Sequence, residues 1–281
     1  MENTQNFNFH THTYRCIHAD QNMQDEDYIK EFIKMGFKKI AFTDHCPQKN
    51  KIDKRPDMRM DYSQKDEYLS TIQKLKEKYK GKIEIETGFE TEYLPGEEEN
   101  ILELKKETDK IILGQHFIYD KNKNLKIHGD HDFEDEELIK YAKYIEKAIE
   151  LGIPDIIAHP DIYMYRRKEF GKAEKETAEI ICKAAEKHQI PLEINLCRIF
   201  RTLFAPNKIV IDMPEEEKQE KIKTITYPCR NFWEIVSNYN IKVLYGIDAH
   251  YKGQISIFPE LIKYANQIIG EETIKKLNFI K

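Results

Sequence analysis

The chain has 281 residues and a net charge of -5, with 34% charged residues of mixed sign and 40% apolar residues, enough for a large core in one domain such as an α/β barrel. This balance of charge argues against a nucleic-acid surface or an anionic membrane as the protein's main partner. No apolar run approaches the ~20 residues of a membrane span, Met-Glu-Asn-Thr-Gln-Asn at the start carries no signal-peptide core, and five scattered cysteines (Cys16, Cys46, Cys182, Cys197, Cys229) without a CxxC pair argue against a disulfide framework, so a reduced, cytoplasmic protein is expected.

In chain order, Phe7-Asn-Phe alternates as a short strand and runs into His10 and His12. Residues two apart in an extended chain point the same way, so both imidazoles aim at one spot; His18 follows on the loop. Residues 25–35 carry a helical apolar face stopped by Gly36, and 39–43 form a strand ending in Thr43-Asp44-His45. The basic loop 48–61 (Lys49, Lys51, Lys54, Arg55, Arg59) is either a solvated surface loop or a lid whose cations meet an anionic substrate. A helix over 62–79 precedes a strand at 82–87 that delivers Gly88-Phe-Glu90-Thr-Glu92. After a helix at 98–107, the strand 110–114 leads directly to Gln115-His116; the loop 120–132 is polar, and its His128 and His131 read as solvated, the alternative being that they reach the barrel mouth. A helix at 134–151 and a strand at 155–158 lead to His159-Pro160-Asp161, and a helix over 172–188 leads to the strand 191–195, which runs into Cys197, Arg198 and Arg201. The mixed-charge run 213–223 reads as a solvated excursion, followed by a helix at 231–240, a last strand at 242–246 and Ile247-Asp248-Ala249-His250.

Seven strands alternating with helices imply a parallel sheet with right-handed crossovers. No Gly-rich phosphate loop follows the first strand, which disfavours a nucleotide-binding sheet and favours a barrel. In a parallel barrel the C-terminal strand ends share one mouth, and there the fold would gather His10, His12, His18, His45, Glu90, His116, His159, Asp248 and His250. Any one of them alone reads as a hydrogen-bonded core or cap residue; the joint pattern does not. Nine nitrogen and oxygen donors exceed the four to six of a single divalent ion, so two or three ions bridged by a carboxylate are expected, with zinc, iron or manganese suiting the donors better than calcium or magnesium. Closely spaced ions of this kind lower the pKa of bound water and stabilise phosphoryl transfer. Asp44 and Asp161 read as residues that orient ligands or turns, and Cys16 and Cys46 as small buried residues.

The ordered set His-Thr-His, Thr-Asp-His, Gly-Phe-Glu, His116, His-Pro-Asp and Asp-Ala-His resembles the polymerase-and-histidinol-phosphatase (PHP) superfamily across nearly the whole chain. His-Thr-His-Thr-Tyr-Arg-Cys-Ile-His-Ala, Phe-Thr-Asp-His-Cys-Pro, Glu90-Thr-Glu-Tyr-Leu-Pro-Gly and Leu-Gly-Gln-His-Phe-Ile resemble its histidinol-phosphatase branch. The resemblance implies a distorted seven-stranded β/α barrel filling residues 1–281 as one domain, with three divalent metal ions. It implies one ion on His10, His12, Glu90 and Asp248, a second on Glu90, His116 and His159, and a third on His18, His45 and His250, with Glu90, Asp248 and His250 at the chemical step. Arg198 or Arg201 would clamp a phosphate, the alternative for each being a surface ion pair.

The implied activity is hydrolysis of histidinol phosphate in histidine biosynthesis, with no nucleic-acid or membrane partner and with homo-oligomerisation left open. The chain departs from the branch at Leu196-Cys197-Arg198-Ile199-Phe200-Arg201, where small residues and Gly are usual, and at Ile247, where Ser is common. Both lie at the expected substrate end, which keeps another small phosphate ester or phosphotyrosine as the alternative substrate. A barrel hydrolase of C–N bonds would tend to use a carboxylated lysine or fewer metals. A purely structural metal domain would have lost ligands, whereas here all nine positions are filled.

Overall fold

The computed structural model describes residues 5–50, 55, 58–130, 132–205 and 213–281. Eight strands form one parallel sheet: β1 (Phe7–Asn8), β2 (Lys39–His45), β3 (Glu84–Thr91), β4 (Lys110–Leu113), β7 (Ile156–Ile157), β8 (Leu192–Asn195), β9 (Lys242–Gly246) and β10 (Asn278–Phe279), in that spatial order. The remaining pair, β5 (Phe117–Tyr119) and β6 (Leu125–Ile127), is an antiparallel hairpin beside it. The sheet curls until its two sides meet at their C-terminal ends, where Thr11 bridges Ala249 in parallel, His12 N donates to Ala249 O at 2.9 Å and Ala249 N to His10 O at 3.1 Å. At the opposite end β10 pairs with the start of β9, and Ile280 N donates to Val243 O. The result is an α/β barrel distorted from regular closure.

β2 is buried along nearly its whole length and reads as a near-continuous run, whereas the stretch into β3 alternates through Ile83 and Ile85 before β3 turns buried from Thr87 on. The outer faces pack under amphipathic helices. Asp25–Lys34 starts with Asp25, Glu26 and Asp27 at the positive end of its dipole and buries Tyr28, Ile29 and Phe32. Asp135–Glu150 begins with Glu134 N donating to Glu137 Oε2 at 2.9 Å and buries the stripe Leu138, Tyr141, Ala142, Ile145, Ala148 and Ile149. Inside the barrel, Phe7, Ile112, Ile156, Ala158 and Leu244 form a separate apolar cluster, each ahead of the ligand on its own segment.

All seven expected strands are present. The eighth, β10, is two residues long and carries no periodicity from which it could be read. The stretch 120–132, expected as an irregular loop, contains β6; Asp120 Oδ1 accepts Asn122 N and Asn124 N, both at 2.8 Å, and this Asx turn folds the hairpin. The run 213–223, expected as a solvated excursion, contains the helix Glu215–Ile222, with three glutamates in its first turn. Cys197, Arg198 and Arg201 lie on the short helix Cys197–Leu203. No helix among the described residues is long and apolar enough to cross a membrane.

Candidate metal centre

All nine expected ligands converge at the C-terminal strand ends. Glu90, from the end of β3, is at the middle. Its Oε1 lies 2.9 Å from His159 Nε2 and 3.5 Å from His116 Nε2; its Oε2 lies 3.0 Å from His45 Nδ1 and 3.4 Å from Nε2 of both His10 and His12. Asp248 Oδ1 faces the same pair, 3.1 Å from His12 Nε2 and 3.5 Å from His10 Nε2. His250 stacks on His12 at 4.3 Å between ring centres, and its Nε2 is 2.7 Å from His18 Nε2. Seven of the nine are buried; His18 and Asp248 are half-buried. His45 borders two groupings, one with Glu90 and His116 and one with His12 and His250, so the implied second and third sites are contiguous.

The backbone is shaped for this convergence. Gly114 follows β4, and a Cβ there would overlap the Glu90 carboxylate. His159 and Asp248 have φ of 30° and 50°, left-handed values that non-glycine residues seldom adopt. Gln254 Oε1 accepts His250 N at 2.7 Å while its Nε2 donates to Asp248 O at 3.0 Å, tying the Asp-Ala-His turn to the helix Lys252–Ser256.

The arrangement suits cations. His10 Nδ1 is 2.9 Å from Glu193 Oε2, so the ring nitrogen facing that carboxylate carries the proton. His12 Nδ1 faces Cys16 Sγ at 3.6 Å, and that thiol donates to Asp44 Oδ1 at 3.0 Å. With those protons on Nδ1, the two Nε2 lone pairs face each other 3.1 Å apart beside Asp248 Oδ1, a contact that a cation held between them would relieve. Asp248 Oδ1 is itself buried with no hydrogen-bond partner. Burial pushes the Glu90 carboxyl up, but His45, His10 and His116 outweigh it and hold the group well below the usual carboxylate range. Asp248 is held down in the same way, burial being outweighed by His10 and His250. Burial drives His45 and His250 well below the ordinary histidine value, against the pull of Glu90 on the first and of Asp248 on the second. Carboxylates and imidazoles gathered in this way are the donor set of a transition-metal site.

The PHP-domain family model matches residues 8–196, more than half of the chain. This chain belongs to the PHP-domain family. It is 28% identical over 244 residues to the histidinol-phosphatase of Bacillus subtilis (strain 168), covering 77% of this chain and 90% of that one. In fold it is similar to a candidate histidinol phosphatase from Listeria monocytogenes, at TM-score 0.71 and 20% identity over 89% of this chain and 97% of that one. It is also similar to the histidinol phosphate phosphatase of Lactococcus lactis, whose structure was solved with zinc, L-histidinol and phosphate, at TM-score 0.63 and 18% identity over 93% and 94% of the two chains.

In this PHP domain Glu92 stands behind His116: its Oε1 is 2.9 Å from His116 Nδ1, and Arg59 Nη2 donates to the same oxygen at 3.2 Å. Arg59, from the basic loop, is thus paired with a buried carboxylate. Lys51 and Lys54 of that loop, and His131, lie outside the described residues. His128 corrects the solvated-loop expectation: its ring packs 5.8 Å from His116 and 5.7 Å from Tyr165 because β6 carries it back over the mouth.

Arg201 is open to solvent, and its charge acts on both Asp248 and His250. Arg198 lies 4.6 Å over the Tyr165 ring and donates from Nη1 to Tyr165 Oη at 3.2 Å, leaving Nε buried without a partner. Asp44 accepts Thr13 N and Thr13 Oγ1, both at 2.7 Å, and so fixes the His-Thr-His turn. Asp161 accepts Cys229 N at 2.6 Å and Trp233 Nε1 at 3.0 Å, which anchors the start of the helix Arg230–Val236 to the His-Pro-Asp turn, and burial pushes its carboxyl up to about 6. All five cysteines are unbridged, Cys16 and Cys46 being buried as expected. Sequence reasoning missed Glu193 and Asn195; the available signal was a Glu and an Asn two apart in an otherwise apolar buried strand.

Proposed function

We propose that this protein is a metal-dependent phosphomonoesterase that hydrolyses L-histidinol phosphate to L-histidinol and phosphate in histidine biosynthesis, and that its residues 1–281 form one barrel domain. The observation that carries the reading is the ring of histidines and Asp248 around the central carboxylate Glu90. Similarity to the Bacillus subtilis enzyme over most of both chains supports the choice of ester.

His10, His12, Glu90 and Asp248 would hold one divalent ion, Glu90, His116 and His159 a second, and His18, His45 and His250 a third, with zinc, iron and manganese fitting the donors. Such ions supply a water acidic enough to serve as nucleophile near neutral pH, together with positive charge for the phosphoryl oxygens. The chain's own residues do the rest. Glu90 stays ionised among its imidazoles and would be shared between the first and second ions. Glu193 and Glu92 hold His10 and His116 by Nδ1, leaving Nε2 directed inward. Arg201, whose charge already acts on Asp248 and His250, would take phosphoryl oxygens that gain charge in the transition state, with Arg198 as the second candidate clamp.

Phosphate release from histidinol phosphate, measured beside other small phosphate esters and phosphotyrosine, tests the reading. The expected result is selective turnover of histidinol phosphate that is lost on chelation and restored by zinc or manganese. Preference for another ester would keep the phosphatase and reassign its substrate. No release from any ester by metal-replete protein would overturn the proposal.

A further inference from the structure

We propose that Glu193, braced by Asn195, is a positioning residue of the metal centre: it fixes His10 as the Nδ1–H form and places a negative charge behind it, tightening the hold of the His10, His12, Glu90 and Asp248 set on its divalent ion. This rests on the metal-binding reading above.

On β8, Leu192 and Ile194 join the hydrophobic core under the helices. Strand alternation therefore turns Glu193 and Asn195 the other way, into the barrel. Glu193 is 1% exposed. A carboxylate so deeply buried is costly unless it is paired, and among the described residues its ion-pair partner is His10, with Nδ1 at 3.1 Å from Oε1 and 2.9 Å from Oε2. Asn195 completes the arrangement. Its Oδ1 accepts Cys197 N at 2.9 Å, which sets the amide orientation, so its Nδ2 points to Glu193 Oε1 at 2.8 Å and to Asp248 Oδ2 at 3.2 Å. One Glu-x-Asn pair thereby braces two members of a single ligand set, one on β1's extension and one beyond β9, and also starts the helix that carries Arg198 and Arg201.

The neighbouring strand is cut to fit. A Cβ at Gly246, which pairs with Asn195, would overlap the Glu193 carboxylate. A buried carboxylate donated to by the far nitrogen of a ligating histidine fixes the ring and raises its basicity. His12 has no such anion directly behind it: its Nδ1 faces the thiol of Cys16.

Glu193→Gln keeps the shape and one acceptor and removes the charge. Zinc binding by the full-length protein is titrated with a competing chelator while bound zinc is counted by elemental analysis. The expected result is one zinc equivalent weakened by about 10- to 100-fold, the others unchanged, and turnover returning at raised zinc. A folded E193Q protein with the wild-type zinc titration would overturn the proposal, as would turnover that zinc does not restore. If E193Q does not fold, histidine 15N spectra of zinc-loaded wild type decide: a proton on His10 Nδ1 with zinc on Nε2 supports the assignment, and a proton on Nε2 contradicts it. Wild-type protein that takes up no zinc, iron or manganese would instead overturn the metal-binding reading itself.

Discussion

The two ends of the barrel interior are built from the same strands and have opposite chemistry. Ahead of the ligands on each segment, Phe7, Ile112, Ile156, Ala158 and Leu244 close on one another, with Phe9 and Ile280 against them. A few residues further along the same segments come His10, His116, His159 and Asp248, which face Glu90 or one another rather than apolar side chains. The first end gains from removing apolar surface from water. The second buries imidazoles and carboxylates, bends the backbone at His159 and Asp248 into left-handed conformations and leaves Asp248 Oδ1 and the Nδ1 atoms of His45 and His159 without hydrogen bonds. Such groups are tolerated when they serve a ligand, so the difference separates the part of the barrel that holds the fold from the part that does the chemistry.

Substitutions at the two ends should therefore have opposite signatures. The largest effect is expected for Glu90→Gln, which removes the shared carboxylate: kcat should fall by about 10³-fold or more, the scale for losing one preorganised charge-stabilising group, while circular dichroism and cooperative melting persist. Collapse of the fold on this change would mean that the polar end serves stability. Chelation should abolish turnover and lower Tm; a ligand present at a thousandfold excess over its Kd contributes about 4 kcal/mol, and re-addition of zinc or manganese should return both. Leu244→Ala at the apolar end should cost about 2–5 kcal/mol by denaturant unfolding and leave kcat of the folded, metal-loaded protein near wild type. Arg201→Ala should lower kcat/KM for the phosphate ester by about 10- to 100-fold, the range for one charged hydrogen bond, with no change in metal content; an unchanged kcat/KM would make Arg201 a surface residue and leave the clamp to Arg198.

The metal end was legible in the sequence because its ligands follow short apolar runs at fixed offsets: His45 closes β2, Glu90 lies within the end of β3, and His116, His159 and Asp248 come within three residues of β4, β7 and β9. Chain order alone then placed them at one mouth. The parts that stayed hidden depend on tertiary contact. β10 exists because residues after the last helix find the free edge of β9, and two residues carry no pattern. The helix Cys197–Leu203 begins where Asn195 caps Cys197 N, an event invisible without the strand end that aims the amide. Glu92 and Glu193 were passed over because alternation says which side of a strand a residue faces, not which imidazole it meets. Arg59 belongs in sequence to a basic loop that reads either as solvated or as a cationic lid, and its pairing with Glu92 is a tertiary contact that neither reading contains.

The central claim is that these strand ends assemble a centre for several divalent ions around one carboxylate. Anomalous X-ray diffraction at the zinc edge, on crystals of the zinc-loaded protein, tests it most directly. The account predicts several neighbouring peaks grouped around Glu90 and ringed by His10, His12, His116, His159 and Asp248, with a further one toward His18, His45 and His250. Zinc-replete crystals with no peak among these residues would contradict it.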